Sequence, residues 1–257
     1  MLIILEKYKL EELHEIAMDN KDSARINQLK NVLKRLGLED DRSIRWDLMN
    51  LALTHPSYSP VNNYQQLEFL GDAVIRLVSA EFLLEEYPQT NVGQFTAIRS
   101  ILVSDKTLAY WAEAFGLEQF LLMSGQSAKD VIGRTSRLAE MFEAILGALY
   151  LSTNNMSLIR PWLDSLLKDK STEILLDPAL ENYKDALQEW SQLNYKCLPE
   201  YKVEEISTQQ GDPERFVARV WLNGEILGHG KGQSKKGSQQ AAAKDAFLKI
   251  NNDGSFS

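Results

Sequence analysis

Apolar residues recur every three or four positions from Ala24 to Leu167, the spacing that lines one face of an α-helix, and few β-branched runs interrupt them. Leu67, Leu70, Val74, Leu77 and Val78 make one such stripe, and Leu138, Met141, Phe142, Ile145, Leu146 and Leu149 make another. Turn-forming pairs, Asn62-Asn63 and Asn154-Asn155, bound them. This part of the chain is predicted to be an all-α bundle. Ahead of it, Met1 to Lys21 alternates Glu, Lys and Leu and reads as an extra amphipathic helix that packs on the bundle or on a partner.

The pattern breaks at Asp169-Lys170-Ser171-Thr172 and Asp177-Pro178, a polar stretch followed by a residue that cannot continue a helix. A linker is placed there, over residues 169–180. Tyr183 to Leu193 then reads as helix, and Phe216 to Leu222 runs in the β-branched and aromatic residues of a strand. Asn223-Gly224 follows at once, a pair that tolerates the positive φ angles of a two-residue hairpin, so a further strand is expected over about Glu225 to His229. Ser234 to Ile250 closes with Ala242, Ala243, Ala246, Phe247 and Ile250 at helical spacing. The predicted order is helix, three antiparallel strands, helix. The segments are an extension over residues 1–23, a helical domain over 24–168, the linker, and an α-β-β-β-α domain over 181–251.

A length of 257 residues agrees with two domains, at roughly 100–200 residues each. With 44% apolar and 25% charged residues the chain can bury a real core. Cys197 is the only cysteine, which excludes an internal disulfide and a thiolate metal cage and leaves a buried or half-buried small residue as its plain reading. The apolar run Met1 to Leu5 is cut short by Glu6, Lys7 and Lys9, so neither a signal peptide nor a membrane span is predicted and a cytoplasmic protein is expected. A net charge of −8 opposes nucleic-acid binding if spread evenly, but it is not. Lys231, Lys235, Lys236 and Lys244 fall in a stretch without a single acid.

Two helices carry carboxylates where core residues belong. Glu68 and Asp72 lie four apart within the first stripe, and Glu140 and Glu143 three apart within the second, so each pair shares a face. Burying such groups is costly without a counter-charge. Hard oxygen ligands of this kind suit Mg²⁺ or Mn²⁺, whose bound water can be activated toward a phosphodiester. The plainer account, that these acids are solvated faces or helix-end charges, stays open on spacing alone. Of His14, His55 and His229, only His14 stands at Glu-x-x-His spacing, after Glu11, and a di-iron bundle needs two such motifs, which disfavours a carboxylate-bridged oxidoreductase.

The stretch Gln66-Leu67-Glu68-Phe69-Leu70-Gly71-Asp72-Ala73-Val74 closely resembles the signature of the ribonuclease III family. Ala52 to Tyr58 before it, Arg99 with Leu102-Val103 after it, and Leu138 to Ala148 are similar to that family in the same order, while Glu181 to Asn251 resembles a double-stranded RNA-binding domain. The resemblance implies an all-α endonuclease domain followed by an α-β-β-β-α RNA-binding domain, acting as a homodimer that hydrolyses double-stranded RNA with Mg²⁺ or Mn²⁺. It implies ribosomal RNA precursors and structured messenger RNA as substrates. It further implies that Glu68, Asp72, Glu140 and Glu143 hold the metal, with Asp72 and Glu143 as the catalytic pair. Phe69, ordinary core by pattern, is put on a helix at a subunit interface.

Three positions depart from the family. Glu140 stands where Asp is usual, the same charge on a stem one methylene longer. Gln65 and Val92 replace acids that sit at the rim and contact RNA, which bears on rate and substrate choice. These two positions are all that speaks for the alternative of a non-catalytic duplex-binding protein, since the four-acid set is complete.

A reader of A-form RNA needs polar side chains on a helix for the shallow minor groove and cations at a helix start for the phosphates across the major groove. Lys184 and Gln188 are the first-helix candidates, Lys235 and Lys236 the phosphate contacts, and Gln240 lies one turn further on the same side. Ser234-Lys235-Lys236, followed by Gln240 and the alanines, matches the pattern of the RNA-binding domain. The loop Gln209 to Arg215 lacks that domain's usual Gly-Pro-x-His, leaving Arg215 as its substitute.

Overall fold

A computed structural model describes residues 20–38, 43–125, 127–177, 179, 182–209 and 211–252. Of the extension predicted over residues 1–23, residues 1–19 lie outside the described residues. The helices are α1 (Asn20–Arg35), α2 (Trp46–Ala52), α3 (Gln65–Glu86), α4 (Val92–Leu102), α5 (Asp105–Ala114), α6 (Arg134–Thr153), α7 (Arg160–Leu175), α8 (Tyr183–Tyr195) and α9 (Lys235–Asn252). Three strands, β1 (Glu200–Glu205), β2 (Phe216–Leu222) and β3 (Glu225–Gly232), lie between α8 and α9. Contacts divide the chain into two compact units, the first reaching Leu167 except for residues 96–98, which cluster with the second.

The first unit is built on α3 and α6. Leu67, Val74, Ile75, Val78 and Phe82 of α3 and Leu138, Met141, Phe142, Ile145 and Leu149 of α6 are buried. Each such side chain contributes roughly 1.5–3 kcal/mol by leaving water. The predicted stripe is offset on α3: Leu77 is half exposed, and Ile75 and Ser79 are buried in the next turn. A 22-residue helix turns its buried face slowly, so a five-residue stripe drifts off it. The two helices cross on glycine. A Cβ on Gly71 would lie 1.8 Å from the Glu143 carbonyl oxygen, and one on Gly147 2.3 Å from that of Leu67. No other residue permits that approach.

The polar stretch expected to begin a linker is helical, because α7 runs on to Leu175. Leu163, Leu167, Ser171 and Ile174 are all buried and keep helical spacing through it, and Lys170 pairs with Glu173 at 2.9 Å on the outside. Serine served as a buried position there, which polarity alone hides.

The second unit has the predicted order. Its sheet is antiparallel in the order β1-β2-β3, with alternate β2 residues Phe216, Ala218, Val220 and Leu222 buried. Asn223 and Gly224 both have positive φ, 50° and 86°, as the hairpin requires. Leu187 and Trp190 of α8 and Ala242, Ala243, Ala246 and Phe247 of α9 complete the core. Small residues let α9 lie close on β3: a Cβ at Gly230 would come within 2.3 Å of the Ala242 nitrogen. Cys197 is half-buried, as its plain reading expects.

Candidate active site and RNA-binding surface

The glycine crossing decides where the acids go. Because Gly71 touches the backbone of Glu143, the faces that carry Glu68 with Asp72 and Glu140 with Glu143 meet. All four line one open cleft of about 420 Å³, together with Phe69, Asp105, Ser136 and Ala139. Asp105, in the first turn of α5, escaped the sequence reading. There it looks like an ordinary acid at a helix start, behind Ser104, whose side chain caps the helix by accepting from the Thr107 N–H at 3.3 Å. In the fold it faces the cleft and accepts a hydrogen bond from the Ser136 hydroxyl at 3.2 Å.

Crowding raises the pKa values of Glu143 and Glu68. Burial, then the charges of Asp72, Glu68 and Asp105, push Glu143 up to about 8 against a smaller opposing effect of Arg76. Glu68 is raised as well, by burial first and then by Glu140, Asp105 and Asp72. The remaining two acids have internal partners. Arg76 donates through Nε to both oxygens of Asp72 at 2.8 Å, and the Tyr64 hydroxyl donates to Glu140 Oε2 at 2.6 Å. As the side chains stand, no three of the His, Cys, Asp or Glu residues among those described are placed to hold an ion. The donor set still fits a hard divalent cation: it is all oxygen, and its mutual repulsion is what such a cation relieves.

Behind the acids lies a layer the spacing did not reveal. Arg137, one helical turn before Glu140, is buried and donates to the Asp130 carbonyl at 3.2 Å. His55 packs edge-on against Tyr64, with ring centroids 5.6 Å apart, and its Nδ1 accepts from the Ser57 N–H at 2.9 Å. Burial and Arg137 lower the His55 pKa. His229 belongs to the second unit, beside Asp245. Gln65 and Val92 are both solvent-exposed, and Phe69, read as core by pattern, is 84% exposed.

The proposed RNA contacts divide into free and engaged groups. Lys235 and Lys236 are exposed in the first turn of α9, which Ser234 caps by accepting from Gly237 N–H at 3.0 Å. Gln188 is exposed on α8. Lys184 is engaged: its ammonium donates to Gln239 at 2.8 Å and lies 4.8 Å from the centre of the Tyr201 ring. Gln240 ties two helices, accepting from the Lys184 N–H at 3.2 Å and donating to Asn182 at 3.1 Å. It thereby satisfies a donor that the start of α8 leaves open. Lys231 pairs with Glu214 and Arg215 with Glu205, so neither cation is free.

Comparison with known proteins agrees with both units. Residues 65–154 match the model of the ribonuclease III domain and residues 183–250 that of the double-stranded RNA binding motif. Ribonuclease 3 2 of Synechocystis sp. is 56% identical over 87% of this chain and 91% of its own length. Ribonuclease 3 2 of Nostoc sp. is 56% identical over 88% and 93%, and ribonuclease 3 of Gloeobacter violaceus 42% identical over 88% and 93%. The solved nuclease domain of ribonuclease III from Campylobacter jejuni, 29% identical, aligns with 56% of this chain and 93% of that one at a TM-score of 0.46. A helical nuclease unit with an acid cleft, joined to a duplex-binding unit with a basic helix start, thus has a known counterpart along nearly the whole chain, which belongs to the ribonuclease III family of endoribonucleases that cut double-stranded RNA.

Proposed function

We propose that Glu68, Asp72, Glu140 and Glu143 hold a divalent cation, Mg²⁺ with Mn²⁺ able to replace it, and that Asp72 and Glu143 are the catalytic pair. The observation that carries this reading is the meeting of all four carboxylates in one cleft, with Glu143 pushed up to about 8. Such a cation, when bound, supplies an activated water for attack on a phosphodiester. The side chains do the rest. Asp72 and Glu143 present oxygens from facing helices, so each depends on the other's backbone position. Glu143, pushed up to about 8 in the free cleft, would hold the cation as a carboxylate, so binding would favour higher pH.

Lys235 and Lys236 bind phosphates across the major groove and Gln188 the minor groove, whereas Lys184 and Gln240 act first by joining α8 to α9. Two subunits are needed to cut both strands, since one cleft serves one strand. Phe69, bare of cover on α3, suits that homodimer interface. Precursors of ribosomal RNA and structured messenger RNA are the proposed substrates and the cytoplasm the proposed location; no described helix is long and apolar enough to cross a membrane.

The test combines cleavage of a labelled duplex, with and without Mg²⁺, and gel shifts. Asp72→Asn and Glu143→Gln are each expected to lose cleavage by orders of magnitude while still shifting the duplex. Wild-type rates in either variant would overturn the assignment.

A further inference from the structure

Tyr64 immediately precedes α3 and is only 1% exposed, yet its side-chain hydroxyl is aimed at Glu140 of the acid cleft. The residue is fixed along its length. Its N–H donates to the Thr54 carbonyl at 3.0 Å, and its own carbonyl accepts from the Glu68 N–H at 2.9 Å. Its ring is held edge-on by His55, which Ser57 orients in turn. The hydroxyl at the far end donates to Glu140 Oε2 at 2.6 Å, the short contact of a bond to a charged acceptor. Facing a carboxylate, a phenol hydroxyl donates.

Glu140 carries its carboxylate one carbon–carbon bond further from the backbone than an aspartate would. An aspartate would draw the carboxylate back by about 1.5 Å, one carbon–carbon bond, and leave a buried hydroxyl without its acceptor. The length of Glu140 and the presence of Tyr64 match each other.

We infer that Tyr64 is a positioning residue, whose hydroxyl fixes the longer Glu140 side chain by one oxygen so that its carboxylate is presented to the cation. This rests on the reading of the four acids as a cation site. Partners of this sort behind metal ligands commonly set affinity through orientation.

The experiment is a Mn²⁺ titration of the full-length protein, read by the paramagnetic resonance of free Mn²⁺. It compares wild type, Tyr64→Phe, Glu140→Asp, the double variant, and Glu143→Gln. Melting temperature, duplex affinity, kcat and KM are measured on the same samples. Tyr64→Phe removes only the hydroxyl and keeps the ring against His55. It is expected to weaken Mn²⁺ binding about 10-fold or more, within the span usual for such partners, and to lower kcat while leaving KM and duplex affinity unchanged. In the Glu140→Asp background the same change is expected to do nothing further, because the bond is already broken.

An unchanged Mn²⁺ affinity in Tyr64→Phe with a lowered melting temperature makes the tyrosine merely structural and overturns the inference. An equal loss in both backgrounds also overturns it, since Tyr64 would not then act through Glu140. Undiminished Mn²⁺ binding in Glu143→Gln overturns the four-acid reading itself, whatever Tyr64→Phe does.

Discussion

In the helical unit five carboxylates crowd one cleft, where burial and like charge work against them, while in the second unit Lys235 and Lys236 stand in open water at the start of a helix. The acids are held where they conflict because two glycines bring their backbones together. The lysines are held by a serine cap and oppose nothing except the partial positive charge of the helix start. Charge for chemistry is half-buried and crowded against its neighbours; charge for binding is exposed and open to counter-ions. The two kinds should respond to different perturbations.

The comparison is broken most severely by deletion. Removing residues 178–257 takes away the exposed lysines and leaves the acid cleft, so duplex affinity at physiological salt should fall by about 10³-fold or more as the phosphate contacts disappear. Weak cleavage should persist at low salt, and sedimentation should still report a dimer. A monomeric fragment with full activity would mean that the halves do not divide the labour this way.

Replacing Lys235 and Lys236 together with Ala is the subtler form. Contacts to phosphates carry no sequence information, so affinity should drop about equally for unrelated duplexes. The slope of log affinity against log salt should flatten by up to roughly one unit per lysine. Titrations of two duplexes at several salt concentrations measure this, and an unaltered slope would mark both lysines as bystanders.

The smallest effect lies on the acid side. Glu143 is raised from an ordinary 4.5 to about 8, so between those values the folded protein keeps a proton that the unfolded chain has released. Stability of the metal-free protein should therefore fall as pH rises through that window, the reverse of the usual behaviour of a paired carboxylate. Melting curves in chelator should show a decline of several degrees, the full shift being reduced by solvent screening in the open cleft, at about 2–4 °C per kcal/mol for a chain of this size. Glu143→Gln should flatten it. A profile that rises over the same range would place Glu143 in a solvated setting.

Much of this was legible in the residues. Helical spacing outlined α3 and α6, and Asn223-Gly224 fixed the turn between β2 and β3. The four acids could be paired on their helices by counting, and their resemblance to a known signature put them in one site. Counting fails where function depends on distant segments. Asp105 and Tyr64 belong to other turns of the chain, and each carries a simpler local explanation, a helix start and a buried ring. Lys184 and Gln240 differ in the opposite sense: at the places expected for RNA contacts, both also hold protein partners that counting does not show. The helical run through Lys168 to Leu175 was hidden because buried Ser171 reads as polar.

The contact between Gly71 and the Glu143 backbone also bears on how this protein can change over time. The gap between the two helices is set by hydrogen atoms, whereas a side chain beside it, such as Glu140 with its partner Tyr64, meets its neighbours at the end of a flexible stem. Drift can lengthen or shorten a carboxylate stem and repair the difference with a nearby donor. It has no such freedom at the crossing, where a single methyl group would force the helices apart and carry the acids with them. Inherited variation should therefore gather in the stems and their partners, while the bare backbone between them stays closed to change.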